Sequence, residues 1–255
     1  MSSSLISTVR DLRLKRGRER RGLALAEGVR LVEEAHAAGL DFRGVLVGPA
    51  LEATARGKSL KAALAASGVQ MHEVSSDALS ELADTEHPQG IIAVIAPPRW
   101  SLDHITVRPH DTLLVLDGVQ DPGNVGTIIR TAFSLGALGV IALPGTADLT
   151  NAKVLRSAMG ASFRLPAVVA GAADFLTWAR SHAVSVWVTA ADGEPVHDAS
   201  RTGPLALVLG NEGAGVSEEL RKAASRAVAI PLAEGAESLN VAAAAAILLY
   251  EVKRD

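Results

Sequence analysis

The stretch Val115-Leu116-Asp117-Gly118-Val119-Gln120-Asp121-Pro122-Gly123-Asn124-Val125-Gly126-Thr127-Ile128-Ile129-Arg130 runs from an apolar strand, through a polar glycine-bearing turn, into the start of a helix. Strands that are apolar without alternation belong to parallel sheets buried on both faces, and such sheets hold ligands at the carboxyl ends of their strands. The spacing poses a geometric question. Arg130 lies six residues beyond Asn124, about 600° around an ideal helix, so only a curled loop ahead of Val125 brings the two together. The alternative is an ordinary turn and a helix with a surface arginine.

Two more strand ends share this character. Leu207-Val208-Leu209-Gly210-Asn211-Glu212-Gly213-Ala214-Gly215-Val216 is a buried strand entering glycines. These let a ligand touch bare backbone beside Glu212, or merely turn the chain into a helix begun at Ser217. Ile230-Pro231-Leu232 with Glu237-Ser238-Leu239-Asn240-Val241 leads into an apolar helix, where Ser238 and Asn240 are caps or site residues, and one of them suffices as a cap. Neither G-x-G-x-x-G nor G-x-x-x-x-G-K-[ST] occurs, which leaves nucleotide-phosphate cradles unsupported, and the absence of G-x-S-x-G does the same for serine hydrolysis.

Outward from these ends, strands are expected at 112–116, 139–143, 165–169, 184–189, 205–209 and 227–231, with helices at 125–135, 152–159, 172–182 and 239–252. Residues 5–14, 27–38 and 77–83 read as helices, and 45–47, 69–74 and 91–95 as strands. The pattern predicts an α/β protein with largely parallel sheets in two domains, residues 1–96 and 111–255. The polar segment 97–110, which opens with Pro97 and Pro98, is the expected linker.

With 48% hydrophobic and 21% charged residues in 255, the chain buries real cores, and disorder is excluded. The absence of cysteine removes disulfides and thiolate chemistry and fits a cytoplasmic setting. The seven histidines show no ligand spacing, so no metal is expected. The longest apolar run, 241–250, is half of the roughly 20 residues that a membrane span needs. A net charge of −3 hides an asymmetry: residues 1–30 carry eight basic side chains against three acidic ones. Arg10, Arg13, Lys15, Arg16, Arg18 and Arg30 therefore form either a solvated face or a phosphate-binding one.

Together, the segments 121–132, 209–215, 230–232 and 237–241 closely resemble, in order and spacing, the three motifs of the SpoU (TrmH) family of RNA ribose 2′-O-methyltransferases. The connecting stretch Ser157-Ala158-Met159-Gly160-Ala161-Ser162-Phe163-Arg164-Leu165-Pro166 is similar as well. Residues 1–96, through Glu27-Gly28-Val29-Arg30-Leu31-Val32 and Pro88-Gln89-Gly90-Ile91-Ile92-Ala93-Val94, resemble the ribosomal-protein-like substrate-binding domain of many members. The sequence departs from the family's habit at Ala242, where a hydroxyl residue is common, and at Leu232, where methionine is.

The resemblance implies a C-terminal trefoil-knot (SPOUT) domain, a homodimer, and S-adenosylmethionine as cofactor. It points to Leu209, Gly210, Ile230 and Leu239 around the cofactor, with glycine at 210 permitting close approach. It places Arg130 at the reacting hydroxyl and neighbouring phosphate, surrounded by Asn124, Glu212, Ser238 and Asn240, with Glu212 orienting the guanidinium. Arg10, Arg13, Lys15, Arg16, Arg18 and Arg30 become an RNA-facing set. The N-terminal domain tilts the substrate toward large-subunit ribosomal RNA, for maturation or for antibiotic resistance. A transfer RNA enzyme and a non-catalytic RNA-binding or ribosome-assembly factor are the alternatives. With aromatics at 3%, stacking platforms for bases are not expected.

Overall fold

The structure, a computed structural model, describes the backbone of residues 2–254 and the side chains of residues 4–254. The chain forms two compact units. One comprises the described residues up to Pro98 together with Thr150–Phe163, and the other Arg99–Leu149 and the residues from Arg164 onward.

The first unit contains α1 (Ser2–Leu12), α2 (Lys15–Arg21), β1 (Ala24–Glu27), α3 (Val29–Ala37), β2 (Asp41–Val47), α4 (Ala55–Ala66), β3 (Met71–Glu73), α5 (Ser76–Leu82) and β4 (Ile91–Ala96). Its sheet has the order β1-β4-β2-β3. β4 pairs antiparallel with both β1 and β2, and only β2 and β3 are parallel, so this sheet departs from the largely parallel arrangement expected. Apolar periodicity reveals strands but not their direction. Alternate side chains divide between two cores. Ala24, Val45, Ile91 and Ala93 pack with Leu31, Leu60 and Leu64 on one face, while Leu25, Leu46, Ile92 and Val94 pack with Val9, Leu12, Leu79 and Leu82 on the other. Helix α7 (Ala152–Ala158) and its continuation belong here too: Leu155 and Phe163 are buried in the first of these cores.

The second unit contains β5 (Thr112–Asp117), α6 (Pro122–Ser134), β6 (Gly139–Ala142), β7 (Ala167–Val169), α8 (Ala172–Ser181), β8 (Ser185–Pro195), β9 (Leu205–Gly210), α9 (Glu218–Ala223), β10 (Arg226–Ala229) and α10 (Val241–Val252). All strand pairs in its sheet, of order β10-β8-β9-β5-β6-β7, are parallel. β5 and β9 lie at the centre, which is why each is an unbroken apolar run buried along its length. The chain lays β6 and β7 on one side of β5 and returns with β8, β9 and β10 on the other. The carboxyl ends of β5 and β9, in register at Asp117 and Gly210, thus stand where the winding reverses, the position that generates a ligand crevice.

From Arg99 on, the expected linker is part of this unit. Ile105 is buried in its core and Trp100, Leu102 and Val107 pack against it, apolar anchors that the prolines and polar residues of 97–110 obscure. Among the described residues, no helix is long and apolar enough to cross a membrane.

Candidate functional site

Asp121 caps α6 by accepting a hydrogen bond from the Asn124 backbone N–H at 2.9 Å, and Pro122 occupies the first turn. The helix therefore begins before Val125, and Asn124 already lies within it. Six residues along one helix separate Asn124 and Arg130 by about 120° in azimuth, so no curled loop joins them.

The carboxyl ends of β5 and β9 are laced together by polar groups. The Asn211 side chain donates from Nδ2 to the Gly118 carbonyl at 2.8 Å, and its Oδ1 accepts from the Gly213 and Ala214 amides at 2.9 Å each. Asn211 and Gly215 also exchange backbone hydrogen bonds of 3.0 and 2.9 Å, closing a tight loop. The Ser217 amide donates to Asp117 Oδ2 at 2.7 Å, and the Thr146 hydroxyl bridges the Leu116 carbonyl and the Gly118 amide. Within this loop a Cβ at position 210 would stand 2.2 Å from the Gly215 carbonyl carbon and 2.3 Å from the Val216 nitrogen. Glycine at 210 is thus dictated by the chain folding back on itself, a reason additional to the close approach expected of a ligand.

Three of the expected site residues form one polar chain. Asn240 Nδ2 donates to Asn124 Oδ1 at 3.0 Å, and Asn124 Nδ2 donates to Glu212 Oε1 at 3.1 Å. The Gln120 amide reaches Glu212 Oε2 at 3.4 Å. Asn240 meanwhile caps α10 through Oδ1, which accepts from the Ala242 and Ala243 amides, so the residue is both a cap and a member of the polar chain. Arg130 is exposed and, among the described residues, makes no hydrogen bond or ion pair. Glu212 holds Asn124, and among the described residues it makes no hydrogen bond or ion pair with the Arg130 guanidinium.

A cavity of about 310 Å³ is lined by Leu209, Gly210, Glu212, Ser238, Leu239 and Asn240. An adjoining one of about 200 Å³ is lined by Ile230, Leu232, Ser238, Leu239 and Leu248. They share Thr189, Ser238, Leu239 and Ala244. Leu239 is 40% exposed, so an apolar side chain waits uncovered where the two meet. Backbone polar groups and Ser238 lie next to apolar walls, a mixed surface suited to a ligand with one flat apolar part and one polar part. Thr189 escaped the sequence reading, which took Asn211 only as a neighbour of Glu212 among the glycines. Thr189 closes the expected strand 184–189, and that strand end was the available signal.

The basic segment is less uniform than its sequence. Arg18 is buried at 6% exposure, and its Nη1 donates to the Leu12 and Arg13 carbonyls at 2.9 and 3.0 Å. It satisfies carbonyls at the end of α1 and is removed from the set of phosphate-facing residues. Arg10 pairs with Glu81 at 2.8 Å, and Arg13 donates to the Glu81 carbonyl at 3.0 Å. Lys15 sits 3.7 Å from Glu19, and Arg16 is exposed without a partner among the described residues. Arg30 is exposed on the first turn of α3 beside a separate cavity of about 280 Å³.

Hydrogen bonds from Arg21 and Arg20 hold the Asp11 carboxyl below its ordinary value. A depressed pKa contributes stability above the unfolded-state value of about 3.9, which is lost as pH falls through the folded value. Asp11→Asn should therefore flatten the acid limb of the stability curve below about pH 4. Urea midpoints measured against pH check this.

Comparison with known proteins gives concordant findings. Residues 111–250 match the SpoU rRNA Methylase family, and residues 4–93 match the MRM3-like substrate binding domain. The chain is 38% identical over 245 residues to the 23S rRNA (guanosine(2553)-2′-O)-methyltransferase of Bacillus subtilis, covering 96% of this chain and 94% of that protein. It is 36% identical to the 23S rRNA (uridine(2479)-2′-O)-methyltransferase of Streptomyces viridochromogenes, covering 93% and 84%. The AdoMet-bound rRNA methyltransferase of Sinorhizobium meliloti superimposes with a TM-score of 0.87 at 32% identity, over 100% of this chain and 95% of that one.

Proposed function

Because the chain belongs to the SpoU rRNA methylase family, we propose that it transfers the methyl group of S-adenosylmethionine to a ribose 2′-hydroxyl of large-subunit ribosomal RNA. The observation that carries this reading is the meeting of the Asn240-Asn124-Glu212 chain with the cavity lined by Gly210 and Leu239, at the ends of the central strands. The substrate reading is supported by the match of residues 4–93 to a substrate binding domain and by similarity over 96% and 93% of the chain to two proteins named for 23S rRNA.

The residues present fit the cofactor. Leu209, Ile230 and Leu239 offer apolar surface to an adenine, and the backbone around Gly210 and the Ser238 hydroxyl offer polar contacts. When bound, S-adenosylmethionine supplies an electrophilic methyl on a sulfonium. The protein's task is then to hold the ribose hydroxyl in line. Arg130 suits that task because its five N–H donors are uncommitted among the described residues and match a phosphate bidentately. A guanidinium carries donors and no acceptor site, so it is a positioning and charge-bearing group, not the proton acceptor. Asn124 and Asn240, locked to Glu212, fix the amino end of α6 against that of α10.

The reading includes a trefoil-knotted catalytic domain, a homodimer and a cytoplasmic setting. Exposed Phe133, Ile247 and Tyr250, at 44%, 41% and 59%, lie on the mutually packed α6 and α10 and support pairing of two copies. Arg10, Arg13, Lys15, Arg16 and Arg30 remain the RNA-facing set. Replacing Arg13, Lys15 and Arg16 by Ala should reduce the slope of log affinity against log salt by about 0.7–0.9 for each phosphate that is no longer neutralised. Arg18→Ala should leave that slope unchanged and cost about 1–3 kcal/mol of stability through two unpaired carbonyls.

The test is to incubate the protein with radiolabelled S-adenosylmethionine and separated ribosomal and transfer RNAs, then map any labelled ribose by its resistance to alkali. Label on large-subunit RNA is the expected result, and the mapped position separates maturation from resistance. Label confined to transfer RNA overturns the substrate reading. Cofactor binding without label, on naked RNA and on assembling particles alike, favours a non-catalytic binding factor.

A further inference from the structure

A cavity of about 580 Å³ opens in the first unit, and none of its lining residues is among those assigned above to the cofactor or the reacting hydroxyl. Its floor is apolar: Leu12, Leu25, Leu82 and Ile92 are all buried, and Leu14 stands beside them 49% exposed. Arg10 and Arg13 also line it, their positions fixed by Glu81. Asn151 contributes from the start of α7. Its Oδ1 caps that helix by accepting from the Lys153 amide at 2.8 Å, and its Nδ2 has no acceptor among the described residues.

Three carboxylates share the lining, and each is engaged. Glu81 pairs with Arg10, and Asp84 pairs with Arg156 at 2.6 Å. Buried Glu27 accepts from the Asp84 and Thr85 amides and from the Thr85 hydroxyl. What the cavity offers is therefore an apolar floor within a predominantly polar lining, bordered by guanidinium groups with donors beyond those given to Glu81 and by the Asn151 amide. Its size is within the roughly 300–1,000 Å³ typical of small-molecule sites. A flat ring with acceptor edges, carried on a phosphodiester, answers to that chemistry, and RNA presents this group wherever a loop or bulge splays a base from its stack.

We propose that this cavity receives one unstacked nucleotide of the RNA substrate, its base over Leu14 and Leu82, its acceptor edge on Asn151 Nδ2 and its phosphate on Arg10 and Arg13. The proposal rests on the RNA methyltransferase reading above and deepens it, because it gives the N-terminal unit a base-recognising element in addition to a charged face. Leucine takes the place of the aromatic platforms that the composition lacks.

The test compares wild type with Leu14→Asp and Asn151→Asp. The first puts a charge at an exposed lip, and the second keeps a good helix cap while replacing the donor by an acceptor. Both should raise the KM for ribosomal RNA about tenfold, leaving kcat, S-adenosylmethionine affinity and Tm unchanged. Variants with the wild-type KM overturn the nucleotide pocket and leave ribosomal RNA methylation standing. A defect seen with assembling particles but not with naked RNA transfers the pocket to a protein partner and overturns the proposal. Titration with adenosine and uridine monophosphates, followed by NMR, tests the free-nucleotide source: binding of these together with an unchanged RNA KM also overturns it. A wild-type protein that labels no RNA overturns the methyltransferase reading, and the pocket falls with it.

Discussion

Arg130→Ala should lower kcat for ribosomal RNA methylation by about 10³-fold while leaving S-adenosylmethionine affinity and Tm at their wild-type values. Arg130 is exposed and bonded to nothing among the described residues, so truncating it breaks no native interaction and should change stability by less than about 0.5 kcal/mol. Whatever activity disappears belongs to interactions made with the substrate. Arg130→Lys separates charge from geometry: it keeps the cation but loses the planar fork, and should recover only a small part of the rate. Full recovery in lysine would make the role simple electrostatic attraction. Single-turnover kinetics with saturating RNA, together with cofactor titration, provide the measurements. Equal loss of cofactor affinity and rate would assign Arg130 to the architecture of the site.

Gly210→Ala should abolish cofactor binding and cost about 3 kcal/mol or more. The added methyl would meet main-chain atoms of Gly215 and Val216, and these cannot swing aside as the tip of a flexible side chain could. Moving them requires opening the Asn211–Gly215 bridge and with it the hydrogen bond from Asn211 to Gly118. The damage therefore spreads from one loop to the end of the neighbouring strand. Calorimetric titration with S-adenosylmethionine and urea unfolding check the two effects. A variant that keeps both wild-type affinity and wild-type stability would show the loop to be compliant.

Most of the catalytic unit was readable from residues alone. β5, β9 and α10 announce themselves as long apolar runs, since central parallel strands and a buried helix leave no polar face to confuse the pattern. The grouping of Asn124, Glu212 and Asn240 needed the three motifs taken together, because they are brought together from positions 88 and 116 residues apart. Other features lay beyond the reading for identifiable reasons. The Asp121-Pro122 pair is a cap and first turn, and reading it as loop displaced the start of α6. In the run of arginines from Arg10 to Arg21, nothing local marks Arg18 as the one turned inward, since burial depends on where α1 ends relative to α2. The direction of β4 depends on how the chain returns from α5, which periodicity does not carry.

Leu155 and Phe163 complete a hydrophobic core whose other members all precede residue 98. This ordering bears on synthesis. A nascent chain that has just delivered β4 lacks the side chains that close one face of its first sheet, and 51 further residues, Arg99 to Leu149, emerge before the missing piece begins. At about 5–20 residues per second, that is a delay of roughly three to ten seconds. During it an apolar surface awaits its cover on the ribosome, so the first unit's final packing is a post-linker event coupled to translation of the catalytic half.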